Sequence, residues 1–400
     1  MSPCPVARVE VIPLSVPLDA VDQLDSTAET VLVVLTDEEG REGVGEADAP
    51  PSAVKAFTEM PSGHLWSQGM AGLLVGQDPV EREALWSRLY EATIYAGRRG
   101  LGVHALSAVD LALHDLAGKQ LGLPAYKLMG GARRDRLRPY CTIYPGLVRE
   151  GWGVRRLMDE TFRQFDAALA AGFTALKMEV LYYEHVTDAE LVGLIREGRQ
   201  AVGSRIALML DFGYRWRHWR DAARVLQRLD DLDIFFAEAC LQHDDLDGHR
   251  RLAERAPMRV CGAELAATRW EVREWIERGG VDVVQPDISR AGGLTEMKRI
   301  AEMCEMAGVE VVPHGWKTGV LAHAGLHFQA ACPAAPFVEM VSPHVHDSPL
   351  RRDLVGPEPV VEDGTVALPT APGLGFALDR AAVERFRTDR PHGRAGRGAR

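Results

Sequence analysis

Cysteine pairs, a basic excess and an uninterrupted apolar span are all missing from this sequence. The six cysteines (Cys4, Cys141, Cys240, Cys261, Cys304 and Cys332) are scattered, with no Cys-x-x-Cys spacing. Several sit in apolar, strand-like runs, so they read as reduced core residues of a cytoplasmic protein rather than a disulfide framework. Formal charge is −11. Such a surface repels nucleic acid and anionic membranes, which excludes general polyanion binding and requires a local positive site for any anionic substrate. The N-terminal MSPCPVARVEVIPLSVPL has no basic stretch leading into a long apolar one, so no signal peptide is expected. Thr318 to Val338 lacks Asp, Glu, Lys and Arg, but His323, His327, Gln329, Pro333 and Pro336 do not suit a bilayer; a buried helix followed by a strand is expected instead. Gly100-Leu101-Gly102 lacks the third glycine and the preceding strand of a dinucleotide-binding turn.

What is present fits 400 residues arranged as two domains. The first part reads as strands and then helices. Val6 to Val16 alternates weakly, Glu29 to Thr36 is apolar and β-branched, and DEEG at 37–40 turns into a second strand through Val44. Helical spacing covers 78–96 and 102–121, the latter ended by Gly122 and Pro124. From about residue 137 strand and helix patterns alternate. Candidate strands are 138–143, 174–180, 206–211, 234–238, 259–264, 281–287, 309–313 and 336–341. Such alternation suits a (β/α) barrel, with a doubly wound open sheet as the competitor. Beyond 345 the pattern returns to turn-rich strands with an Asp363-Gly364 hairpin signal, then a basic, Gly-rich tail.

The polar residues within this pattern are the informative ones. In TALKMEV (174–180), Lys177 and Glu179 share one face of an otherwise apolar strand. A local ion pair is the plain explanation. Further along, successive strands end in Asp211, Glu238, Glu264, Asp287 and His314, and the last carries Glu339, at intervals of 23 to 27 residues. One βα unit takes about that length, so each group arrives at the same end of its strand, and in a barrel those ends converge on the active-site face. Taken singly, each acid reads as a strand-ending turn residue or helix cap; in consecutive phase they read as a site. Buried carboxylates need a compensating cation. Asp211, Glu238 and Glu264 form a hard oxygen set suited to Mg²⁺. Asp287 beside His314 would fix the imidazole tautomer and make a general base. Lys177 would bind a substrate carboxylate, or act as an acid or base. Together they suit removal of a proton α to a carboxylate, and Glu339, if protonated, would hydrogen-bond the enediolate oxygen.

The motifs ALKMEV, QPDISRAGG, VVPHGW and APGLGFALD, the acid ladder and the helix segment SAVDLALHDLAGKQLGLPAYKLMGG resemble the mandelate racemase/muconate lactonizing enzyme group of the enolase superfamily, over about residues 6 to 380. The resemblance implies an α+β capping domain (1–133), a (β/α)₇β TIM-type barrel (134–343) and a C-terminal segment returning to the cap (344–386); past it, the basic, Gly-rich composition reads as a disordered tail (387–400). The resemblance also implies Mg²⁺ on Asp211, Glu238 and Glu264, an Asp287–His314 dyad and a homo-oligomer. Specificity is then expected from cap loops near 17–27 and around His64 and Trp66. Two positions depart from the pattern. Glu179 stands where a second lysine base is usual, and Gly213 where a longer polar side chain often follows the metal ligand. The first departure favours a one-base reaction led by His314. The leading expectation is dehydration of an acid sugar to a 2-keto-3-deoxy acid, with His314 or Glu179 as the acid for the departing hydroxyl. A racemase or epimerase is the alternative, a cycloisomerase stands behind it, and a non-catalytic sugar-acid-binding barrel is the reading from another class.

Overall fold

A computed structural model describes residues 4–16 and 26–390. Three strands, β1 (Val6–Ser15), β2 (Glu29–Asp37) and β3 (Glu42–Ala47), form an antiparallel meander. The β2–β3 turn is tied by Asp37, whose Oδ1 accepts from the Glu39 and Arg41 amides at 3.0 and 2.8 Å. The long helix Leu101–Leu121 lies on this sheet. Glycine in β3 permits the contact: a Cβ on Gly45 would stand 1.9 Å from the Ala108 carbonyl oxygen. The helical spacing at 78–96 resolves into a 3₁₀ turn (Pro79–Glu81), a helix (Arg82–Ala92) and a last short turn (Ile94–Gly97).

Eight parallel strands follow: β4 (Pro139–Ile143), β5 (Ala175–Glu179), β6 (Ala207–Asp211), β7 (Ile234–Glu238), β8 (Arg259–Gly262), β9 (Val283–Val284), β10 (Glu310–Val311) and β11 (Val338–Met340). They hydrogen-bond in sequence from β4 to β10, and β11 pairs with β4, so the sheet curls round. Its two ends meet through the Val311 amide donating to Ala334 O at 2.9 Å and the Gly315 amide donating to Glu339 Oε2 at 2.7 Å. All eight strands fall where the sequence pattern predicts them. The expected strands at 281–287 and 309–313 shrink to two residues each because Pro286 and Pro313 have no N–H for the ladder.

The period of two sorts the barrel interior into layers. Tyr140, Ala175, Met209, Phe236, Val312 and Phe337 pack as an apolar floor with Cys261 and Val283. Two residues further along the same strands stand Thr142, Lys177, Asp211, Glu238, His314 and Glu339. The strand direction thus converts an apolar floor into a polar mouth in one step.

The C-terminal segment returns to the cap. Helix Arg380–Phe386 is followed by Thr388, whose amide donates to Pro13 O at 3.0 Å. Asp363 and Gly364, both at positive φ, form the expected tight turn closed by Glu362 and Thr365. The expected tail starts too early at 387: Arg387 is buried, 2.8 Å from Glu384 and 2.9 Å from Asp389. Residues 391–400 of that tail lie outside the described residues. All six cysteines are free thiols, five of them buried. The uncharged stretch from 318 forms the buried helix Gly319–Ala331, then β11. No helix among the described residues is long and apolar enough to cross a membrane.

Candidate active site

The polar mouth surrounds a cavity of about 300 Å³ lined by Lys177, Glu179, Asp211, Glu264, His314 and Glu339 among others. Glu238, buried below them, reaches the same group through Lys177. The sequence-predicted residues therefore gather in one place.

Lys177 is fully enclosed. Its Nζ lies 2.9 Å from Glu238 Oε2, 2.9 Å from Glu339 Oε1 and 3.7 Å from Asp211 Oδ2. Burial alone would lower its pKa, but these acids hold it well above the ordinary lysine value. The ammonium is thus a fixed charge. Glu179 lines the same cavity yet has no hydrogen-bond or ion-pair partner among the described residues. The local ion pair suggested by TALKMEV does not form; Lys177 turns to other strands. Burial, then the neighbouring Asp211, pushes the Glu179 carboxyl well above the usual range.

His314 Nδ1 meets Asp287 Oδ2 at 2.6 Å, and Asp287 Oδ1 accepts from the Ser289 amide at 2.6 Å and hydroxyl at 2.5 Å. The second ring nitrogen, Nε2, is 3.7 Å from Glu264 Oε2. Burial disfavours the imidazolium, but the Glu339 charge and the Asp287 hydrogen bond outweigh it and raise the pKa to about 9. Glu339 corrects an expectation. Burial would raise its pKa, yet the Lys177 and His314 charges, with hydrogen bonds from Thr142 and Lys177, hold it at about 2. It is an ionised acceptor here, and the protonated donor expected from crowding is not what its neighbours stabilise.

Asp211 and Glu238 are cross-strand neighbours on β6 and β7. Glu264 joins them by a different route. It falls out of the period-two phase of β8, and Ala263, at φ 80°, turns the chain to bring it inward. Among the described residues no group of three acidic, His or Cys side chains is drawn tightly enough round one point to hold a metal ion; the Lys177 ammonium lies among the acids instead. The donor chemistry nevertheless fits a hard divalent cation. Glu238 is buried, its Oε2 faces the Lys177 ammonium and its Oε1 makes no hydrogen bond, and burial raises the Glu238 pKa to about 7.

The sequence reading assigned no role to several lining residues. Arg290, within QPDISRAGG, donates to Asp48 Oδ2 of the cap, and Lys317 Nζ is 3.0 Å from Asp48 Oδ1. Tyr214 donates its hydroxyl to Glu264. Tyr183, Leu181, Tyr144 and Trp316 complete the walls. Arg290, in QPDISRAGG, and Trp316, in VVPHGW, stood in motifs that could have flagged them. Of the expected specificity loops, 17–25 lies outside the described residues. His64 and Trp66 stack with Tyr95 (centroids 5.4 and 5.1 Å) and are not among the residues lining this cavity.

Comparison with known proteins bears on the same arrangement. Residues 5–130 match the mandelate racemase/muconate lactonizing enzyme N-terminal domain, and 160–382 the enolase C-terminal domain-like family. Arabinonate dehydratase of Saccharolobus solfataricus is 32% identical over 79% of this chain and 80% of its own. D-galactarolactone cycloisomerase of Agrobacterium fabrum is 31% identical over 90% and 92%. A crystal structure with only a provisional racemase assignment shares 40% identity and a TM-score of 0.89, covering 96% of this chain and 98% of its own. A racemase of Streptomyces coelicolor A3(2), solved with bound magnesium, has 26% identity and a TM-score of 0.80 over 96% and 100%. With both halves matched and the barrel-mouth residues assembled, this chain belongs to the mandelate racemase/muconate lactonizing enzyme group of the enolase superfamily.

Proposed function

We propose that the protein is a Mg²⁺-dependent dehydratase of an acid sugar, an aldonate or aldarate, giving a 2-keto-3-deoxy acid. The observation that carries this reading is the His314–Asp287 contact of 2.6 Å at the cavity wall, with no lysine at position 179 to act as a second base. Asp211, Glu238 and Glu264 would hold the magnesium ion. When bound, it supplies positive charge to the substrate carboxylate as the α-carbon loses its proton.

Lys177 binds and orients that carboxylate. Asp287 holds the His314 ring so that Nε2, in the neutral imidazole left once the imidazolium gives up its proton, takes the proton from C2. Glu339 keeps the Lys177 ammonium in place through its 2.9 Å contact. The hydroxyl at C3 leaves with a proton from His314 or Glu179, and the resulting enol tautomerises to the keto acid. The dehydratase relative supports this chemistry class; the cycloisomerase and racemase relatives share the fold with other outcomes, so the reaction must be read from residues. Glu179, without a partner on the cavity wall, favours one second reading, a racemase or epimerase in which it serves as the other base. A homo-oligomer remains the expectation carried by the family resemblance, and light scattering would test it.

Proton NMR of a panel of aldonic and aldaric acids with enzyme and Mg²⁺ in D₂O tests the proposal. Loss of substrate with new 3-deoxy methylene signals is expected. Deuterium entry and inversion at C2 without elimination would replace dehydration by racemisation.

A further inference from the structure

The two departures from the family pattern, Glu179 and Gly213, meet at one wall of the cavity. Asp211 pairs in register with Glu179, and the chain leaving β6 passes through Gly213 at φ 54°. A Cβ on Gly213 would stand 2.3 Å from Leu181 Cδ2 and 2.9 Å from the Tyr183 hydroxyl. The absent side chain is therefore a notch, and the segment after β5 fills it. Tyr183 adopts φ 39°, a left-handed conformation that a bulky residue rarely takes and that persists only where its surroundings impose it. Arg215 imposes it: its Nη1 donates to Tyr183 O at 2.7 Å and its Nη2 to Val186 O at 2.8 Å. Asp188 anchors both Arg215 Nε at 3.1 Å and Trp216 Nε1 at 3.2 Å.

All this holds one phenol at the cavity wall. The neighbouring Tyr214 commits its hydroxyl to Glu264. The Tyr183 hydroxyl, packed beside Gly213, has no hydrogen-bond partner among the described residues, and Tyr183 is one of the residues lining the cavity. A strained, clamped tyrosine with an unused hydroxyl beside the reacting groups is placed to meet a ligand hydroxyl. We infer that Tyr183, seated in the Gly213 notch, is a specificity-determining residue that hydrogen-bonds a substrate hydroxyl beyond the reacting C2 and C3. The ligand class is a polyhydroxylated acid rather than a short 2-hydroxy acid. This inference rests on the proposed acid-sugar reaction.

The test uses the acid sugar turned over in the NMR panel and its monodeoxy analogues lacking one hydroxyl at C4, C5 or C6. Wild type should discriminate against one analogue by about 10- to 100-fold in kcat/KM, the range set by losing one hydrogen bond in an enclosed site. Tyr183→Phe should lower kcat/KM for the parent by a similar factor, mostly through KM, and process that analogue as well as the parent. Gly213→Ala, which displaces the phenol, should erase the same discrimination. A Tyr183→Phe enzyme that still rejects every analogue as wild type does would overturn the inference and leave the dehydratase reading standing. If wild type processes no polyhydroxylated acid, the functional reading falls, and the inference with it.

Discussion

The floor and the mouth of this barrel are built on the same strands two residues apart, and they obey opposite rules. At the floor, Phe236, Met209 and Val312 are buried apolar side chains packed against one another. At the mouth, Glu238 is as buried as Phe236 but its Oε1 makes no hydrogen bond, and the side chains of Glu179 and Tyr183 line a cavity without hydrogen-bond partners among the described residues. The floor supplies stability, and the mouth keeps groups unsatisfied that a ligand can satisfy.

Substitutions in the two layers should separate these properties, and the largest effect belongs to the mouth. His314→Asn is expected to remove α-proton exchange by about 10²- to 10⁴-fold, the range for losing a positioned base, with little change in thermal unfolding. At the floor the pattern should invert. Phe236→Ala should cost about 3–5 kcal/mol of stability by cavity formation, read by denaturant unfolding, while kcat of the folded enzyme is kept.

Lys177→Met tests whether the division is strict. It removes the cation shared by Glu238 and Glu339, so magnesium-free protein should lose about 3–5 kcal/mol, and added Mg²⁺ should return part of it. A variant as stable as wild type would show that the mouth acids are compensated otherwise.

The cap–barrel contact gives a smaller effect with a defined sign. Burial would raise the Asp48 pKa, but Arg290 and Lys317 hold it at about 2, against 3.8 for an unperturbed carboxyl. A group depressed on folding stabilises the fold above the unfolded value, and that contribution is lost as pH falls through the folded one. The stability advantage of wild type over Asp48→Asn, about 2 kcal/mol, should hold above pH 4 and fade between pH 3.8 and 2 in Tm measurements. Smallest of all, Glu179→Gln should slow dehydration by about tenfold more than exchange if Glu179 is the acid for the departing hydroxyl.

How far these layers were legible in sequence follows from period and phase. The alternation of strand and helix placed all eight barrel strands, and regular spacing picked out the acids and His314. Glu264 shows the limit. Its odd phase in β8 is rescued by a left-handed Ala263, a conformation that nothing in the residue's identity announces. Glu339 shows another: crowding among acids is visible in sequence, but the Thr142 hydroxyl, the Gly315 amide and the Lys177 ammonium that keep it ionised come from three other segments. Tyr183 and Asp48 act through contacts between distant segments, and no spacing rule reaches them. Gly213 was visible as a missing side chain; that Tyr183 fills the gap required the fold.

The central claim, that His314 is the base of a one-base reaction, is tested most directly by deuterium incorporation at C2 of the substrate in D₂O with Mg²⁺, comparing wild type with His314→Asn. Exchange in wild type and none in the variant is predicted. Exchange that persists in His314→Asn at a rate near wild type would contradict the claim and move the base to another group on the cavity wall, with Glu179 first among them.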